Sequence, residues 1–186
     1  GAMFTRGGDD LKNTAIFIGG SNVRRAEPLL KKVTDCFFGP VRNSVMLDAN
    51  GCNTTAAAAV VYAGREVDLA GAKAVVMGAT GPVGERVARL LAADGAHVVA
   101  TSRSLDRANE VAKAIGEHTK DGSVSGAVAS SPEEVQAVLA DAKILIACGA
   151  ASVQLVDEAT LKSSSSLKVA IDLNAVPPAG IEGIGV

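Results

Sequence analysis

Short apolar runs alternate with amphipathic stretches along most of the chain, and the alternation is regular from Gly71 onward. Apolar runs bounded by glycine or polar residues predict buried parallel strands, and apolar positions three and four apart predict helices between them. Strands are expected at 73–77, 96–101, 124–129, 143–148 and 167–173, and helices at 82–93, 105–115, 132–140 and 153–161. This alternation predicts an α/β fold with a doubly wound parallel sheet of the Rossmann type.

The first part of the chain shows a shorter version of the same pattern. Strands are expected at 14–18 and 43–47, and helices at 27–37 and 54–63, the second helix capped by Asn53 and ended by Gly64. We therefore predict a second, smaller α/β lobe over residues 4–64, a polar connector over 65–70 and a nucleotide-binding domain over 71–186. The loop 48–55 is expected to project into a cleft between the two lobes.

A glycine-rich turn joins the strand at 73–77 to the helix that begins at Pro82. Its glycines at 78, 81 and 84 have the roles of a dinucleotide phosphate loop, namely a sharp turn, close approach to a pyrophosphate and tight helix packing. A Cβ at any of the three is expected to intrude. The residues predicted to hold the diphosphate are Gly78, Ala79, Thr80, Gly81, Pro82, Val83 and Gly84. A glycine-rich turn that binds no nucleotide is the alternative hypothesis.

The residues after the second strand of this domain bear on the choice between NAD and NADP. A carboxylate in this place accepts hydrogen bonds from the ribose hydroxyls of NAD, but the sequence here is Thr101-Ser102-Arg103-Ser104. Arg103 offers a planar fork to a 2′-phosphate, and Ser102 and Ser104 add hydroxyl donors. These residues predict NADP as the cofactor, with NAD as the alternative. The competing hypothesis is that Arg103 is a solvated surface residue and that Ser104 only caps the next helix.

Composition narrows the remaining classes of function. The chain has 186 residues, 48% of them hydrophobic, a formal net charge of −2, 3% aromatic residues and no Trp. The hydrophobic fraction is sufficient for a buried core. The low net charge and the scarcity of aromatic residues predict no nucleic-acid partner and no membrane association. The three cysteines, Cys36, Cys52 and Cys148, lack metal-ligand spacing, so no metal site is expected and reduced thiols in a cytoplasmic protein are predicted.

Six segments of the sequence carry a resemblance to a known enzyme family: 4–8, 14–20, 37–40, 46–57, 78–84 and 172–178. Together they resemble the NAD(P)-dependent methylenetetrahydromethanopterin dehydrogenases. The segments from Asp48 to Ala57 and from Asn174 to Pro178 are the specific part, because phosphate loops are widespread. The resemblance implies further chain before Phe4 and a segment after Gly185 that completes the substrate lobe and carries a lysine of the active site. The lobe at 4–64 is therefore expected to be incomplete.

The resemblance also implies an activity. Family members oxidise the methylene group carried by tetrahydromethanopterin, and in some cases tetrahydrofolate, to a methenyl group in one-carbon metabolism, with transfer of hydride to NAD(P). They form homo-oligomers. Because a nitrogen lone pair can expel the hydride, the chemistry needs no general base, and positioning and electrostatic stabilisation should dominate.

The implied site residues lie in two places. Asp48 is the candidate for stabilising the positive charge that develops on the substrate, and Asn50, Asn53 and Thr54 are candidate anchors for the pterin. Gly149 and Asn174 follow strands at the cofactor edge of the predicted sheet and are added to the cofactor-binding residues. The structural alternatives are turn formation for Asp48 and Asn50, helix capping for Asn53 and Thr54, and strand termination for Asn174.

The sequence lacks the residues that several other enzyme classes require. A short-chain dehydrogenase needs a Tyr-x-x-x-Lys pair, but Glu66 stands four residues after Tyr62, the only tyrosine. The sequence also has no Walker-type Gly-Lys-Ser/Thr and no hydrolase triad. The competing hypothesis from another class is a module that binds NADP without turning over a carbon substrate.

Overall fold

The computed structural model of the protein describes residues 8–174 and 176–185. The chain forms two compact units, Gly1–Thr54 and Thr55–Val186. The division predicted from the sequence lies at residues 64–71, about ten residues later. The assignment of a separate function to each unit remains a prediction.

The first unit contains a two-stranded parallel sheet. Strand β1 (Ala15–Ile18) pairs with β2 (Ser44–Leu47), with Phe17 opposite Met46, and helix α1 (Val23–Asp35) connects the two strands. Both strands lie where the sequence predicted them. The prediction that α1 begins at Glu27 is wrong by four residues. The helix begins at Val23 because the side chain of Asn22 accepts a hydrogen bond from the Arg25 amide, and this cap places Pro28 inside the helix rather than in its first turn.

Helix α2 (Cys52–Glu66) is longer at both ends than predicted. The side chain that caps it is not that of Asn53 but that of Asp48, whose Oδ1 accepts the backbone N–H of Asn53 at 2.9 Å and that of Thr54 at 3.2 Å. Gly64 lies within the helix instead of ending it. The predicted cap was wrong because a carboxylate four residues before the helix binds its first amides. The predicted end was wrong because the helix continues past Gly64 to Glu66.

The second unit is a five-stranded parallel sheet with helices between its strands. Its elements, in chain order, are β3 (Lys73–Met77), α3 (Pro82–Ala93), β4 (His97–Ser102), α4 (Leu105–Gly116), β5 (Ser123–Val128), α5 (Pro132–Leu139), β6 (Ile144–Ala147), α6 (Glu158–Ser163) and β7 (Val169–Asp172). The strand order is β5-β4-β3-β6-β7, and every pairing is parallel. The predicted α/β fold with a Rossmann-type sheet is confirmed.

Alternate residues of the central strands point into two hydrophobic clusters. One cluster contains Ala74 and Val76, and the other contains Val75 and Met77, all with 1% exposure or less. The small side chains of α2 at 56, 59, 60 and 63 belong to the first cluster. This explains why most of α2 belongs to the second unit, since the sequence alone did not reveal on which core its alanines would pack.

Helix α6 is the least well predicted element of the second unit. It was expected around 153–161 but comprises only Glu158–Ser163. Val156 instead forms a parallel bridge with Ile181, and the side chain of Asp157 caps the helix by accepting the Thr160 amide at 2.7 Å. Helix α5 begins with a capping box, in which the side chains of Ser131 and Glu134 each accept a backbone N–H of the other. Within the described residues, no helix has both the length and the apolar character that a membrane span requires.

Candidate functional site

The turn after β3 is shaped by two glycines that the protein's own packing requires. Gly78 has a φ of +74°, and a Cβ on it would lie 3.1 Å from the carbonyl oxygen of Cys148 at the end of β6. A Cβ on Gly84 would lie 2.5 Å from the carbonyl oxygen of Gly78 and 2.8 Å from the Cα of Ala79. These distances agree with the roles predicted for the two glycines, a sharp turn and close packing of α3 on the sheet.

Gly81 differs from the other two glycines. A Cβ there would come no closer than 3.5 Å to its nearest neighbour, the carbonyl oxygen of Gly78, which is an ordinary contact. A Cβ would therefore crowd the protein's own atoms at Gly78 and Gly84 but not at Gly81, where the predicted neighbour is the pyrophosphate and the intrusion remains a prediction. The fold would accommodate a side chain at position 81, so the protein's own packing does not explain why this residue is glycine.

Helix α3 begins without a side-chain cap. Gly81 occupies its N-cap position and Pro82 its first turn, and the first described backbone bond into the helix is from Glu85 N–H to the Gly81 carbonyl, at 2.9 Å. The other helices of the described ranges have their first amides bound by a side-chain oxygen, supplied by Asn22, Asp48, Ser104, Ser131 and Asp157. The N–H groups of Val83 and Gly84 are thus available to an anion, as the sequence predicted for a phosphate site.

A cavity of about 470 Å³ lies at the carboxyl ends of β3, β4 and β6. The order of the strands reverses between β3 and β6, and ligands of open α/β sheets bind at such a switch point. Seven of the residues predicted from sequence line this cavity: Gly78, Thr80, Gly81, Ser102, Arg103, Ser104 and Gly149. Ala79 is fully buried behind the turn, and its N–H donates to the Thr101 carbonyl at 3.1 Å.

Two arginines at one end of the cavity carry its charge. Arg103 and Arg107 are both exposed, and neither side chain has a hydrogen bond or ion pair to any residue in the described part of the chain. Ser102 and Ser104 lie beside them. Their hydroxyl oxygens accept the Ser104 and Arg107 amides at 3.3 and 3.5 Å, so both hydroxyl protons remain free to donate. No carboxylate is among the described residues that line the cavity.

Arg107 is a lining residue that the sequence reasoning missed. It lies in the first turn of α4, and that helix starts at the carboxyl end of β4. Because Ser104 was already a predicted cap, the helix position three residues later could have been assigned to the same edge of the sheet. Val153 and Leu155 were also missed, since they were expected within a helix and instead form an apolar wall of the cavity.

Cys148 supplies a neutral thiol to the cavity. Burial, reinforced by the negative charge of Asp172, raises the pKa of this thiol to about 12. The group is therefore protonated at neutral pH and does not act as a nucleophile there.

Asn174 is held within the loop that follows β7. Its Oδ1 accepts the Ser152 amide at 3.3 Å, and its Nδ2 donates to the Pro178 carbonyl at 3.3 Å. Asp172 holds the same loop, because its two carboxylate oxygens accept the amides of Asn174 and Ile181 at 2.8 and 3.0 Å. These bonds give Asn174 a structural part, and its cofactor-binding role remains a prediction.

The four candidate residues for the substrate lie together in the first unit. Asp48 Oδ2 accepts the hydroxyl of Thr54 at 2.6 Å, and Asn53 Nδ2 donates to the Leu47 carbonyl. Asn50 has φ 54° and ψ 24°, in the left-handed region, and its exposed side chain has no hydrogen-bond partner in the described ranges. Three of the four side chains therefore form a network that holds the start of α2, while Asn50 presents an amide to solvent. Their roles toward a substrate remain predictions.

Comparison with known protein families divides the chain at nearly the same place as the fold. Residues 1–50 match the family model described as methylene-tetrahydromethanopterin dehydrogenase, N-terminal. Residues 61–182 match the model described as shikimate / quinate 5-dehydrogenase.

Two proteins of Methylorubrum extorquens are similar to the chain over essentially its whole length. The bifunctional protein MdtA is 40% identical over 186 residues, covering 99% of this chain and 64% of that protein. An NAD(P)-dependent methylenetetrahydromethanopterin dehydrogenase is 35% identical over 193 residues, covering 100% of this chain and 64% of that protein. The chain thus spans slightly less than two thirds of the length of these curated relatives.

Solved structures with the same fold include dipicolinate synthases from two Bacillus species. The protein from Bacillus subtilis aligns with a TM-score of 0.54 and 21% identity, covering 90% of this chain and 51% of that chain. The protein from Bacillus halodurans aligns with a TM-score of 0.55 and 22% identity, covering 90% of this chain and 53% of that chain. At this level of identity the likeness supports the fold alone.

Proposed function

The chain belongs to the methylenetetrahydromethanopterin dehydrogenase family, and from this premise we propose that it is an oxidoreductase of one-carbon metabolism. It transfers a hydride from the methylene group of methylenetetrahydromethanopterin, or of methylenetetrahydrofolate, to NADP and so forms the methenyl derivative. The N-terminal family match and the methylenetetrahydromethanopterin dehydrogenase of Methylorubrum extorquens support the substrate class.

A single observation carries the nucleotide part of the proposal. The uncapped start of α3 and two arginines without partners in the described ranges face one cavity at the switch point of the sheet. The amides of Val83 and Gly84 suit a diphosphate, and the space at Gly81 suits close approach of that group. The bound nucleotide would supply the hydride acceptor.

The preference for NADP rests on charge. The end of β4 offers a guanidinium and two hydroxyls instead of a carboxylate, and a 2′-phosphate is bound well by such a set. An NAD site would place an acidic side chain there to accept hydrogen bonds from the ribose hydroxyls. NADP is therefore the proposed cofactor.

The chain's contribution to the chemical step is to hold and polarise the substrate. The methylene carbon lies between two nitrogens, so a lone pair can expel hydride and leave a resonance-stabilised cation without a general base. Asp48 is proposed to stabilise that cation, and Asn50, Asn53 and Thr54 are proposed to orient the pterin. Of these, Asn50 has an exposed side chain that can make a new hydrogen bond.

A second candidate function follows from the hydrogen bonds of the same loop. Asp48, Asn53 and Thr54 already have hydrogen-bond partners within the chain, so their side chains are engaged in holding the start of α2. These observations favour a module that binds NADP without turnover. The proposed dehydrogenase and this module make the same nucleotide contacts, so only turnover separates them.

The test uses the chain with NADP and each methylene carrier in turn, and follows the absorbance of reduced cofactor. We expect turnover with at least one carrier and faster turnover with NADP than with NAD. NADPH binding, measured separately by fluorescence, provides the control. Binding without turnover on either carrier would select the module, and absence of both would contradict the nucleotide assignment.

A further inference from the structure

The first unit has a second cavity, of about 590 Å³, that none of the roles discussed so far uses. It is lined by the loop that follows β1 and by one side of α1. Its lining includes Gly20, Asn22, Arg24, Arg25, Leu29 and Lys32. Three of these described residues are cations and none is a carboxylate, so the cavity is strongly cationic.

The three cations are free to bind a ligand. The side chains of Arg24, Arg25 and Lys32 are exposed and have no hydrogen bond or ion pair to residues in the ranges the structure describes. Their neighbour Lys31 provides a contrast, because it forms an ion pair with Asp35 at 2.7 Å and does not line the cavity. The side chain of Asn22 already caps α1, so an anion in this cavity would meet the cations rather than an uncapped helix terminus.

The cavity lies beside the loop proposed to hold the pterin. The Gly20 carbonyl at its edge accepts the backbone N–H of Asn50 at 2.7 Å, and the Ile18 carbonyl accepts that of Asp48 at 3.0 Å. Both the cavity and that loop follow the carboxyl ends of the parallel strands β1 and β2, which is the edge at which α/β sheets bind ligands. A molecule held at Asn50 would therefore have the cationic cavity next to it.

We propose that this cavity binds the anionic tail of the pterin one-carbon carrier, through Arg24, Arg25 and Lys32. The inference rests on the proposed function, because it assigns a second part of the same substrate. The carboxylate or phosphate groups of the tail meet the three cations, while Leu29, 47% exposed, offers an apolar contact to the part of the tail that carries no charge.

The experiment compares the intact chain with a triple variant, Arg24→Gln, Arg25→Gln and Lys32→Gln, and with the matched control Lys31→Gln. The carriers are the monoglutamate and polyglutamate forms of methylenetetrahydrofolate, which differ in the length and the negative charge of the tail. An exposed ion pair changes affinity by about 1.5- to 5-fold, so removal of three cations should raise KM for the polyglutamate form by about tenfold. The control should leave KM unchanged.

Further readouts separate this contact from a general loss of structure. We expect kcat and the dissociation constant of NADPH to stay as in the unmodified chain, and the preference for the polyglutamate form to weaken as salt is added. An unchanged KM in the triple variant would overturn the inference, as would equal losses for the two carriers. Binding of inorganic phosphate that the polyglutamate tail does not displace would also overturn it, since the cavity would then take a free anion.

Failure of the proposed function gives a different result. If neither carrier is turned over, binding of polyglutamylated folate is measured by calorimetry with the same three proteins. Binding that the triple variant loses and the control retains supports the cavity assignment while contradicting the dehydrogenase. Absence of binding by the unmodified chain contradicts both.

Discussion

The carbonyl oxygen of Gly78 leaves no room for a side chain on Gly84, because a Cβ on Gly84 would lie only 2.5 Å from that oxygen. This contact fixes the first turn of α3 against the end of β3, and the N-cap residue Gly81 lines the cavity at the switch point. Gly81, between the two, makes no such contact. The turn therefore combines glycines that the fold needs with one that the ligand is proposed to need.

Matched alanine substitutions should separate these two needs. Gly84→Ala must push backbone apart, and we expect it to lower the free energy of unfolding by about 1–3 kcal/mol, the usual cost of overpacking. Gly81→Ala should cost at most about 1 kcal/mol, as expected for Gly and Ala at an N-cap, but should weaken NADPH binding at least tenfold. Chemical denaturation and fluorescence titration measure the two effects. Equal NADPH affinity in Gly81→Ala and the unmodified chain would show that this glycine is not reserved for the ligand.

The charge at the end of β4 should decide the nucleotide. Arg103→Ala is expected to weaken NADPH binding by about 1.5–3 kcal/mol, the range for hydrogen bonds to charged groups, while NADH binding barely changes. Arg107→Ala should act in the same direction, because it lines the same cavity without a partner in the described ranges. Lys113→Ala, in the same helix but away from the cavity, serves as the control. Parallel losses for NADPH and NADH would refute recognition of the 2′-phosphate.

The network at Asp48 allows capping and catalysis to be measured independently. Asp48→Ala removes the acceptor for two amides and the Thr54 hydroxyl, so the free energy of unfolding should fall by about 1–2 kcal/mol. Asp48→Asn retains one capping oxygen and should lose less stability. If the carboxylate also stabilises the cation formed from the substrate, Asp48→Asn lowers kcat while NADPH affinity stays unchanged. A stable Asn variant with normal kcat would leave Asp48 as a cap only.

The buried thiol of Cys148 should make stability fall at alkaline pH. Its pKa is raised in the folded state from 9.0 to about 12, so the unfolded chain releases this proton at lower pH than the folded chain does. The stabilisation is complete below about pH 9 and is lost as pH rises toward 12. From this group we expect a loss of about 1 kcal/mol between pH 8 and pH 10. Measuring the free energy of unfolding of the unmodified chain and of Cys148→Ala over this pH range separates the contribution of the thiol from that of other groups. Identical pH profiles for the two proteins would contradict the raised pKa of Cys148.

The second unit could be predicted well because its signals are local. Apolar runs, glycine turns and caps such as Ser104 depend on residues within a few positions, and these predicted nearly every strand and helix from Lys73 to Val128. The arginine at the end of β4 was likewise predictable, since the carboxyl end of a parallel strand faces the ligand edge. Helix α6 was displaced because the bridge from Val156 to Ile181 joins segments far apart in sequence.

The sequence by itself determined the alternation of strands and helices, the glycine turn after β3 and the arginine beside it, because propensity, periodicity and glycine conformation act over short stretches. Only the tertiary structure decided which partners the polar side chains take and which core each helix joins. Asp48 rather than Asn53 caps α2, the alanines of that helix pack with β3, and Arg107 reaches the cavity of Arg103. Each outcome depends on groups brought together by folding, and a pattern read along one chain does not contain that information.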